Sequence, residues 1–360
     1  MSKKLKIAVY TIGSRDVPST RFRVIQYLPL FESAGIKVKV FTLPSMGRGR
    51  FSEFFGSFVQ AAVRFFQLLQ ASAYDRIVVQ KGLTPWRAKG FVKLLRCTGR
   101  PFILDLDDTV YLKNPVTFPG ALRRLQDDKE PLKLIQAAAQ VMAGNAYLAE
   151  FVAGHNASCT VIPTAVDTDQ YGLKKSKAGP RIVIGWSGSS STNFLVNQVI
   201  PVLNRLAEKY TFDFYVMSQG LKGIETQKMK GYGFRFFEWS EKTEMGMLEK
   251  IDIGLMPLED SPWARGKCGL KALLYMALGI VPVCSPVGVN PEIIQDGING
   301  FLAGGPEEWF EKLRLLIEDP PLRERMGREA RTTVEKRYSI RGHFTALKAV
   351  IENGCRVGGR

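Results

Sequence analysis

Runs of consecutive apolar residues, separated by segments with helical periodicity, recur along the whole chain. The first run, LKIAVYTIG at residues 5–13, ends in glycine and is typical of a strand buried on both faces of a parallel sheet. Similar runs lie at 36–43 and 159–167, and in YDRIVVQKG and RPFILDLDD between them. The pattern restarts with RIVIGWSGSSS at residues 181–191, and a helix is predicted at about 194–209. Strands and helices that alternate in two successive series predict two doubly wound α/β domains.

A short polar segment separates the two series. Residues 172–180 read GLKKSKAGP, which is rich in the residues that favour exposed, flexible backbone. We therefore expect a hinge there, formed by Lys174, Lys175, Lys177, Gly179 and Pro180.

Composition adds a strong bias in charge. The 360 residues contain 50 Lys and Arg against 34 Asp and Glu, and the net charge of +16 favours anionic partners. Five scattered cysteines, with only His155 and His343 beside them, lack metal-ligand spacing, so we expect free thiols and no metal. The chain has no uninterrupted apolar stretch of about 20 residues, and its first residues make a poor signal peptide. We therefore expect a cytoplasmic protein, either free or attached peripherally to the inner membrane.

The segment RGKCGLKALLYMALG places three cations at the start of an apolar helix. Arg265, Lys267 and Lys271 lie within seven residues, and no Asp or Glu occurs between Asp260 and Glu292. A lysine near the positive end of a helix does not help folding, whereas a bound anion would balance all three cations. We therefore prefer a diphosphate site, and a solvated basic face is the alternative.

Two turns that follow predicted strands are candidates for contacts with the same ligand. The first contains three small residues, Gly188, Ser189 and Ser190. It either presents free N–H groups to an anion or simply caps a helix, and the sequence favours neither. In the second, SPVGVNPEII, Gly288 permits close backbone approach and Glu292 is placed to orient sugar hydroxyls. The same segment also fits a helix start with Asn290 as the N-cap.

The segment ILDLDDTV has the form of a phosphatase motif. In that motif Asp105 is the nucleophile, Asp107 the acid/base and Thr109 the following residue. Such enzymes complete a Mg²⁺ site with a later acidic pair at a strand end, and the next acidic pair here lies in the charged stretch RRLQDDKEP. We therefore disfavour a phosphatase and keep Asp105, Asp107 and Asp108 as candidates for contacts with substrate hydroxyls.

Two helical segments near the N-terminus each leave two interpretations open. In STRFR we expect Ser19 or Thr20 as the N-cap, with Arg21 and Arg23 in the first turn, where they oppose the helix dipole. The two arginines either reach an anionic substrate or lie in solvent. The segment FSEFFGSFVQAAVRFFQLLQ contains six Phe, and we prefer a helix that covers a sheet over one that docks on a surface.

Eight short segments, spread over nearly the full length, recur together in one known family. They are PSTRFRVIQYLP, DLDD, GNAYLAE, VIPTAVDT, IGWSGS, EWSE, RGKCGLK and SPVGVNPEI. Together they resemble the retaining glycosyltransferases of family 4, and most closely a bacterial subgroup. The resemblance implies the GT-B fold, in which two Rossmann-like domains face a cleft. We expect an acceptor-side domain at 1–172, a donor domain at 173–336, and a C-terminal helix at about 337–360 that crosses back to the first domain.

The resemblance also implies a mechanism. A nucleotide diphosphate sugar is the donor, the anomeric configuration is retained, and the acceptor passes its proton to the departing diphosphate, so no metal or other cofactor is needed. Cations and helix N–H groups then stabilise the leaving group. The implied catalytic residues are Arg265, Lys267, Lys271, Asp105 and Asp108. The implied binding residues are, on the donor side, Gly188, Ser189, Ser190, Gly269, Gly288, Val289, Asn290 and Glu292, and, on the acceptor side, Gly13, Ser19, Arg21, Arg23 and Asn145.

One departure from the family pattern leaves a second function open. Many members have an E-x7-E motif around the basic helix, and this chain has Gly266 and Leu274 at those positions. The alternative to a transferase is therefore a catalytically weakened relative that binds a nucleotide or glycan. The expected partners are the nucleotide sugar, a glycan or lipid-linked acceptor, and an anionic inner-membrane surface, but no nucleic acid.

Overall fold

Two six-stranded parallel sheets organise the part of the chain that the computed structural model describes, residues 4–45, 50–112, 120–174 and 181–354. Contacts divide the chain into two compact units. The first contains Met1–Thr164, Gly266–Cys268 and His343–Arg360, and the second contains Ala165–Arg265 and Gly269–Gly342. The predicted boundary at residues 172 and 173 stays a prediction, and most of the predicted hinge lies outside the described residues.

The first unit has the strand order β2-β1-β3-β4-β5-β6. Its strands are β1 Lys6–Thr11, β2 Lys37–Phe41, β3 Arg76–Gln80, β4 Phe102–Leu106, β5 Gln140–Ala143 and β6 Cys159–Val161. Its helices are α1 Pro18–Arg23, α2 Leu28–Ser33, α3 Arg50–Leu69, α4 Phe91–Cys97, α5 Glu130–Ala137 and α6 Ala146–Ala153, with 3-10 turns at Ile25–Tyr27, Ala71–Ala73 and Gly120–Leu125. Helices cover the sheet, so β4 is buried at every position, which explains its continuous apolar run.

The second unit has the strand order β12-β11-β10-β7-β8-β9. Its strands are β7 Ile182–Ser187, β8 Phe212–Ser218, β9 Gly233–Glu238, β10 Ile253–Met256, β11 Val281–Cys284 and β12 Phe301–Leu302. Its helices are α7 Ile200–Ala207, α8 Glu241–Leu248, α9 Pro262–Arg265, α10 Leu270–Ala277, α11 Asn290–Ile293, α12 Pro306–Glu318, α13 Pro320–Arg337 and the start of α14, Ile340–Asn353, with 3-10 segments at Ser190–Gln198 and Thr226–Lys228. Apolar clusters pack on its sheet and include Trp186 and Phe214 in one and Tyr275 and Ile280 in another.

The last helix, α14, belongs to the first unit from His343 onward. The ring of Phe344 packs edge-on against Phe31 with centroids 5.1 Å apart, and Arg76 donates a hydrogen bond of 3.2 Å to the carbonyl of Glu352. The return of the C-terminal helix to the N-terminal unit is thus as predicted. Residues 355–360 of the predicted helix lie outside the described residues.

Two predicted helices differ from those in the structure. The helix expected at about 194–209 is a 3-10 segment over Ser190–Gln198, followed by α7, which begins at Ile200 and has Pro at its start. The phenylalanine-rich helix α3 packs on the sheet of the first unit through Leu68, which is part of the apolar core, so it covers the sheet as preferred. It does so without its described phenylalanines, which are mostly exposed, and the other residues that it buries are Ser57, Gln60 and Arg64.

Among the described residues, no helix is both long enough and apolar enough to cross a lipid bilayer.

Candidate active site

Lys271 lies in the first turn of α10, in the second unit, beside the glycine turn that follows β7. Its Nζ is 4.4 Å from the centre of the Trp186 ring, and a Cβ added to Gly188 would come within 3.0 Å of the same nitrogen and 2.3 Å of the indole. Only glycine at position 188 therefore leaves room for this cation–aromatic pair. The helix N-cap is Gly269, whose φ of +70° is in the left-handed region that favours glycine. The geometry places an ammonium group and the positive end of an α-helix together.

The glycine turn itself uses some of its N–H groups within the protein. The N–H of Gly188 donates to a carbonyl of β8 at 3.0 Å, and the N–H of Ser190 donates to Oε1 of Gln219 at 2.9 Å. Ser189 precedes the 3-10 segment without capping it through its side chain. Because these two donors are already engaged, the turn is better explained as a satisfied loop than as an anion site in its own right.

Arg265 has a carboxylate partner close to it in the chain. Its Nε and Nη2 each donate to an oxygen of Asp260 at 2.7 Å, in a bidentate pair at the protein surface. This hydrogen bonding from Arg265 holds the pKa of Asp260 below its ordinary value. The carbonyl and Cα of Arg265 would lie 3.0 and 3.1 Å from a Cβ at Gly288, which has a φ of +58°. The predicted close approach at Gly288 is therefore an approach of backbone to backbone.

The loop after β11 is built around a buried amide. Asn290 donates from Nδ2 to the carbonyl of Ser285 at 2.9 Å, and its Oδ1 accepts no hydrogen bond within the described part of the chain. The helix α11 begins at Asn290 and has Val289 as its N-cap, so the expectation that Asn290 caps it was wrong. Glu292 is exposed in the same short helix, while Val289 is buried.

In the first unit, Asp105 and Arg23 form a buried ion pair at the carboxyl end of β4. Nε of Arg23 lies 3.2 Å from Oδ2 of Asp105, Nη2 contacts Oδ1, and Nη1 donates to the carbonyl of Ile162 at 2.6 Å. Burial opposes the charge on Arg23, but the Asp105 carboxylate outweighs it and raises the pKa of the guanidinium. A carboxylate held in this way is not placed to attack a phosphate, which is a structural argument against the phosphatase interpretation.

A second group of charges lies beside this pair. Nζ of Lys81 is 3.2 Å from Oδ1 of Asp107 and 3.9 Å from Oδ2 of Asp108, and Nζ of Lys267 is 2.8 Å from Oδ2 of Asp108. Burial favours the neutral form of Asp107, yet Lys81, Arg23 and a hydrogen bond from Ser19 together lower the pKa of this carboxyl. Within RGKCGLK, Arg265 thus contacts the carboxylate of Asp260, and Lys267 contacts that of Asp108.

Sequence reasoning missed Lys81. This lysine follows β3 directly, has a left-handed φ of 64°, and donates its N–H to the carbonyl of Asp105 at 2.9 Å. A lysine before a glycine at the carboxyl end of a parallel strand was the available signal, because ligands of such sheets bind at that edge. Backbone strain of this kind in a non-glycine residue is found at functional sites.

The helix α1 contains three of the acceptor-side candidates, Ser19, Arg21 and Arg23, and the structure places them differently from the prediction. Its N-cap is Val17 rather than Ser19 or Thr20, and Arg21 and Arg23 lie in its last turn, where the helix dipole favours cations. Both arginines are buried, so the solvent alternative was wrong. The carbonyl of Ser19 accepts from Gln80 at 2.7 Å, which ties α1 to β3.

Gly13 follows β1 in a tight turn. A Cβ at this position would lie 2.6 Å from a methyl group of Val17, and the hydroxyl of Thr11 donates to the carbonyl of Gly13 at 2.9 Å. The glycine therefore serves the turn into α1.

Asn145 connects the start of α6 with the tripeptide Gly266–Cys268. Its Oδ1 accepts from the N–H of Leu148 at 2.8 Å, which makes it the N-cap, and its Nδ2 donates to the carbonyl of Lys267 at 3.1 Å. Sγ of Cys268 lies 3.4 Å from the carbonyl of Asp107, and burial raises the pKa of this thiol to about 12. The thiol is therefore protonated and packed, not poised for reaction.

The structure shows how Gly266 and Leu274 pack, at the two positions where the resemblance implies carboxylates. A Cβ at Gly266 would lie 2.2 Å from the methyl group of Thr109, so a glutamate has no room there without a local shift. Leu274 is buried in α10, where its side chain packs as part of the apolar interior. Both positions have structural roles in this chain.

In the described part of the chain, no group of three or more His, Cys, Asp and Glu side chains could hold a metal ion. The free thiols in that part are Cys97, Cys159, Cys268 and Cys284.

Comparison with known proteins gives one family and a consistent fold. Residues 182–319 match the model of the family described as glycosyl transferases group 1. No curated protein has a sequence that matches the chain. Sucrose-phosphate synthase from Thermosynechococcus elongatus has a similar structure, with a TM-score of 0.71 and 13% identity over 97% of this chain and 98% of that one.

Two further solved structures have a fold similar to that of this chain. A glycosyltransferase from Rickettsia africae has a TM-score of 0.67 and 11% identity over 99% of this chain and 100% of the other. HepE from Anabaena, solved with UDP and glucose, has a TM-score of 0.65 and 18% identity over 97% and 99% of the two chains. The chain therefore has the GT-B fold of glycosyltransferases, and the expected fold class is confirmed.

Proposed function

We propose that the protein transfers a sugar from a nucleotide diphosphate sugar to a glycan or lipid-linked acceptor, with retention of configuration and without a metal. The observation that carries this proposal is the placement of Lys271 at the N-terminus of α10, over Trp186 and against Gly188. This site lies within the residues that match the group 1 glycosyltransferase model. A similar structure, HepE, was solved with UDP and with UDP-glucose, which supports a nucleotide sugar as the donor class.

The chemistry of the proposed step makes a localised positive charge more useful than a protein base. When the bond from the sugar to the diphosphate breaks, negative charge grows on the departing phosphate oxygens. Lys271 and the first N–H groups of α10 would stabilise that charge, and the acceptor hydroxyl would pass its proton to the diphosphate. Arg265 would join them by exchanging or sharing its carboxylate partner, Asp260.

The first unit would supply polar groups to the acceptor. Asp107 and Asp108, held by Lys81 and Lys267, present carboxylate oxygens that can accept hydrogen bonds from sugar hydroxyls. Asp105 and Arg23 would support Asp107 and Asp108 rigidly, since the charges of Asp105 and Arg23 are satisfied by each other.

The alternative function is binding of a nucleotide or glycan without turnover. It is favoured by one observation, the packing of Gly266 and Leu274 at positions where relatives are expected to have carboxylates.

A single series of experiments separates these functions. Thermal shift of the full chain with each nucleoside diphosphate, followed by product detection with the matching nucleotide sugars and a panel of acceptors, should give one preferred base and a transferred sugar. Binding without any product would favour the alternative. No response to any nucleoside diphosphate would overturn the transferase proposal and would leave glycan binding as the only remaining form of the alternative.

A further inference from the structure

The outer face of α3 is a continuous apolar surface. Six of the fifteen large apolar side chains that are exposed among the described residues lie on this one helix, at Phe55, Phe58, Val59, Phe65, Phe66 and Leu69. Spacings of three and four residues place them on one side of a helix. The relative exposures of Phe55, Phe66 and Leu69 are 65%, 63% and 56%, so these side chains are not partly covered core residues.

The inner face of the same helix buries three polar residues, Ser57, Gln60 and Arg64, and one large apolar residue, Leu68. Arg64 is fully buried and donates to the carbonyls of Leu83 at 2.8 Å and Phe41 at 3.2 Å, as well as to that of Thr11. Gln60 donates to the carbonyl of Pro44 at 2.8 Å. The fold therefore holds α3 by these hydrogen bonds and by the packing of Leu68 in the core, and it leaves the described aromatic side chains facing outward. In a typical amphipathic helix the aromatic side chains would lie on the core side.

Charge next to this face identifies the kind of partner. Between Phe55 and Leu69 the only charged residue is Arg64, which points inward, so the face contains no carboxylate. The neighbouring helix α4, which packs against α3, presents Lys93 and Arg96 to solvent. Arg100 donates to the carbonyl of Ser72 at 3.0 Å, just beyond the end of α3.

A basic groove lies between α4 and α5 of the same unit. It has a volume of about 870 Å³, and its cationic lining residues are Lys89, Lys93, Arg96 and Lys133. Its one acidic lining residue, Asp127, is paired with Lys133 at 2.5 Å. Since α4 packs against α3 and also lines this groove, an apolar face and a group of cations lie on neighbouring helices. This combination fits a surface that offers both hydrocarbon and negative charge.

The charge of the whole first unit has the same sign. Its residues include 27 Lys and Arg against 12 Asp and Glu, a net charge of +15, whereas the second unit has 23 against 22. Nearly all of the excess positive charge of the chain is therefore in the unit that contains α3. A second copy of the same unit would bring like charges together, which disfavours self-association through this face.

We propose that the outer face of α3 and the basic residues of α4 dock the protein on a lipid bilayer with anionic head groups. Phe and Leu side chains would enter the boundary between head groups and acyl chains, and Lys93, Arg96 and Arg100 would contact phosphate. The proposal does not depend on the proposed transferase activity, because membrane binding is measured without any sugar donor.

Vesicle sedimentation with the full chain tests the apolar part. The wild-type protein should bind phosphatidylcholine vesicles that contain about one-third phosphatidylglycerol, and hardly bind vesicles of phosphatidylcholine alone. The double substitution Phe66→Ser and Leu69→Ser should weaken binding at least about tenfold. The matched control, Phe194→Ser with Leu315→Ser, changes two exposed apolar residues of the second unit, so it should bind as the wild type does.

A second pair of variants tests the basic part. Lys93→Glu with Arg96→Glu should weaken binding to the same vesicles at least about tenfold, whereas Lys209→Glu with Lys222→Glu, an equal charge change on exposed residues of the second unit, should not. Equal binding to neutral and anionic vesicles would overturn the proposal. So would a dimer in sedimentation velocity that Phe66→Ser and Leu69→Ser dissociates, because the face would then bind a second copy of the chain.

Discussion

Lys271 differs from the other two cations of its segment in the kind of group that it contacts. Arg265 and Lys267 lie against the carboxylates of Asp260 and Asp108, while Lys271 lies over the aromatic ring of Trp186. An aromatic face attracts a cation through its quadrupole and leaves the formal charge of the ammonium unchanged. The sequence predicted three equivalent cations, because it does not show which groups each of them contacts.

Replacement of Lys271 should therefore affect phosphate binding more than base binding. We expect Lys271→Ala to weaken the preferred nucleoside diphosphate at least about tenfold and to leave the weak binding of the plain nucleoside unchanged. Lys271→Arg should retain part of the affinity, and Lys209→Ala, an exposed lysine of the same unit, should retain all of it. Calorimetric titration measures each value. An equal loss for nucleoside and diphosphate would show that Lys271 supports the pocket rather than the phosphates.

The ion pair of Asp105 and Arg23 sets a prediction about stability. Asp105→Asn leaves a buried guanidinium without its carboxylate, and the loss should be roughly 3–5 kcal/mol of unfolding free energy. The double substitution Arg23→Met with Asp105→Leu removes both charges and should recover much of that loss. Denaturation in urea compares the three proteins. If the double variant is no more stable than Asp105→Asn, the pair does not act as a coupled unit.

Glu130 makes stability depend on pH in the opposite sense to most carboxyl groups. Burial raises the pKa of its carboxyl to about 8, although the N–H of Leu83 donates to Oε1 at 3.0 Å. The folded chain therefore holds a proton that the unfolded chain releases above about pH 4.5. The contribution of the protonated Glu130 to the free energy of unfolding is fully present below that pH. It declines as the pH rises toward about 8, and then levels off. Each pKa unit corresponds to about 1.4 kcal/mol, so the decline should amount to a few kcal/mol.

The substitution Glu130→Gln isolates this effect, because the amide oxygen can still accept from Leu83 and does not ionise. The variant should match the wild type near pH 5 and exceed its free energy of unfolding near pH 8. Urea denaturation at several pH values gives the difference between the two proteins. A difference that does not change with pH would contradict the proposed titration of Glu130.

At the scale of elements, the sequence predicted strands better than it predicted which face of a helix is buried. The apolar runs of β1 and β4 identify strands covered on both sides, and the structure has them there. The periodicity of α3 identifies an amphipathic helix, but it does not show that Leu68 and Arg64 face the sheet while Phe66 faces outward. The partners of Arg64 are carbonyls of Thr11, Phe41 and Leu83, three separate segments that come together only in the folded chain.

The candidate site, too, could be predicted from the sequence only in part. The positions after strands were predictable, since parallel strands present their carboxyl ends at one edge of a sheet. The partners of Asp108 and Asn145 were not, because Lys267 lies more than 100 residues away along the chain in both cases. Val17, and not Ser19, is the N-cap of α1 because Pro18 occupies the first position of that helix.

At the scale of the whole molecule, the separation of charge between the units has a measurable consequence. The first unit has a net charge of +15, and the second has nearly balanced charges. Binding of the first unit to an anionic bilayer through exposed lysines and arginines should be strongly screened by salt, because the Debye length falls from about 10 Å at 0.1 M to about 3 Å at 1 M. A phosphate held by the half-buried Lys271 and the N-terminus of α10 should be screened much less.

We therefore expect that raising NaCl from about 0.05 to 0.5 M releases most of the protein from vesicles with phosphatidylglycerol while the affinity for the preferred nucleoside diphosphate falls only severalfold. Vesicle sedimentation measures how membrane binding depends on salt, and calorimetric titration at the same salt concentrations measures how the affinity for the diphosphate does. The variant Lys93→Glu with Arg96→Glu is the control, since it should flatten the salt dependence of vesicle binding and leave that of the diphosphate unchanged. If the two affinities fall in parallel in the wild-type protein, the bilayer and the diphosphate compete for the same cations, and the assignment of separate surfaces to the two units is wrong.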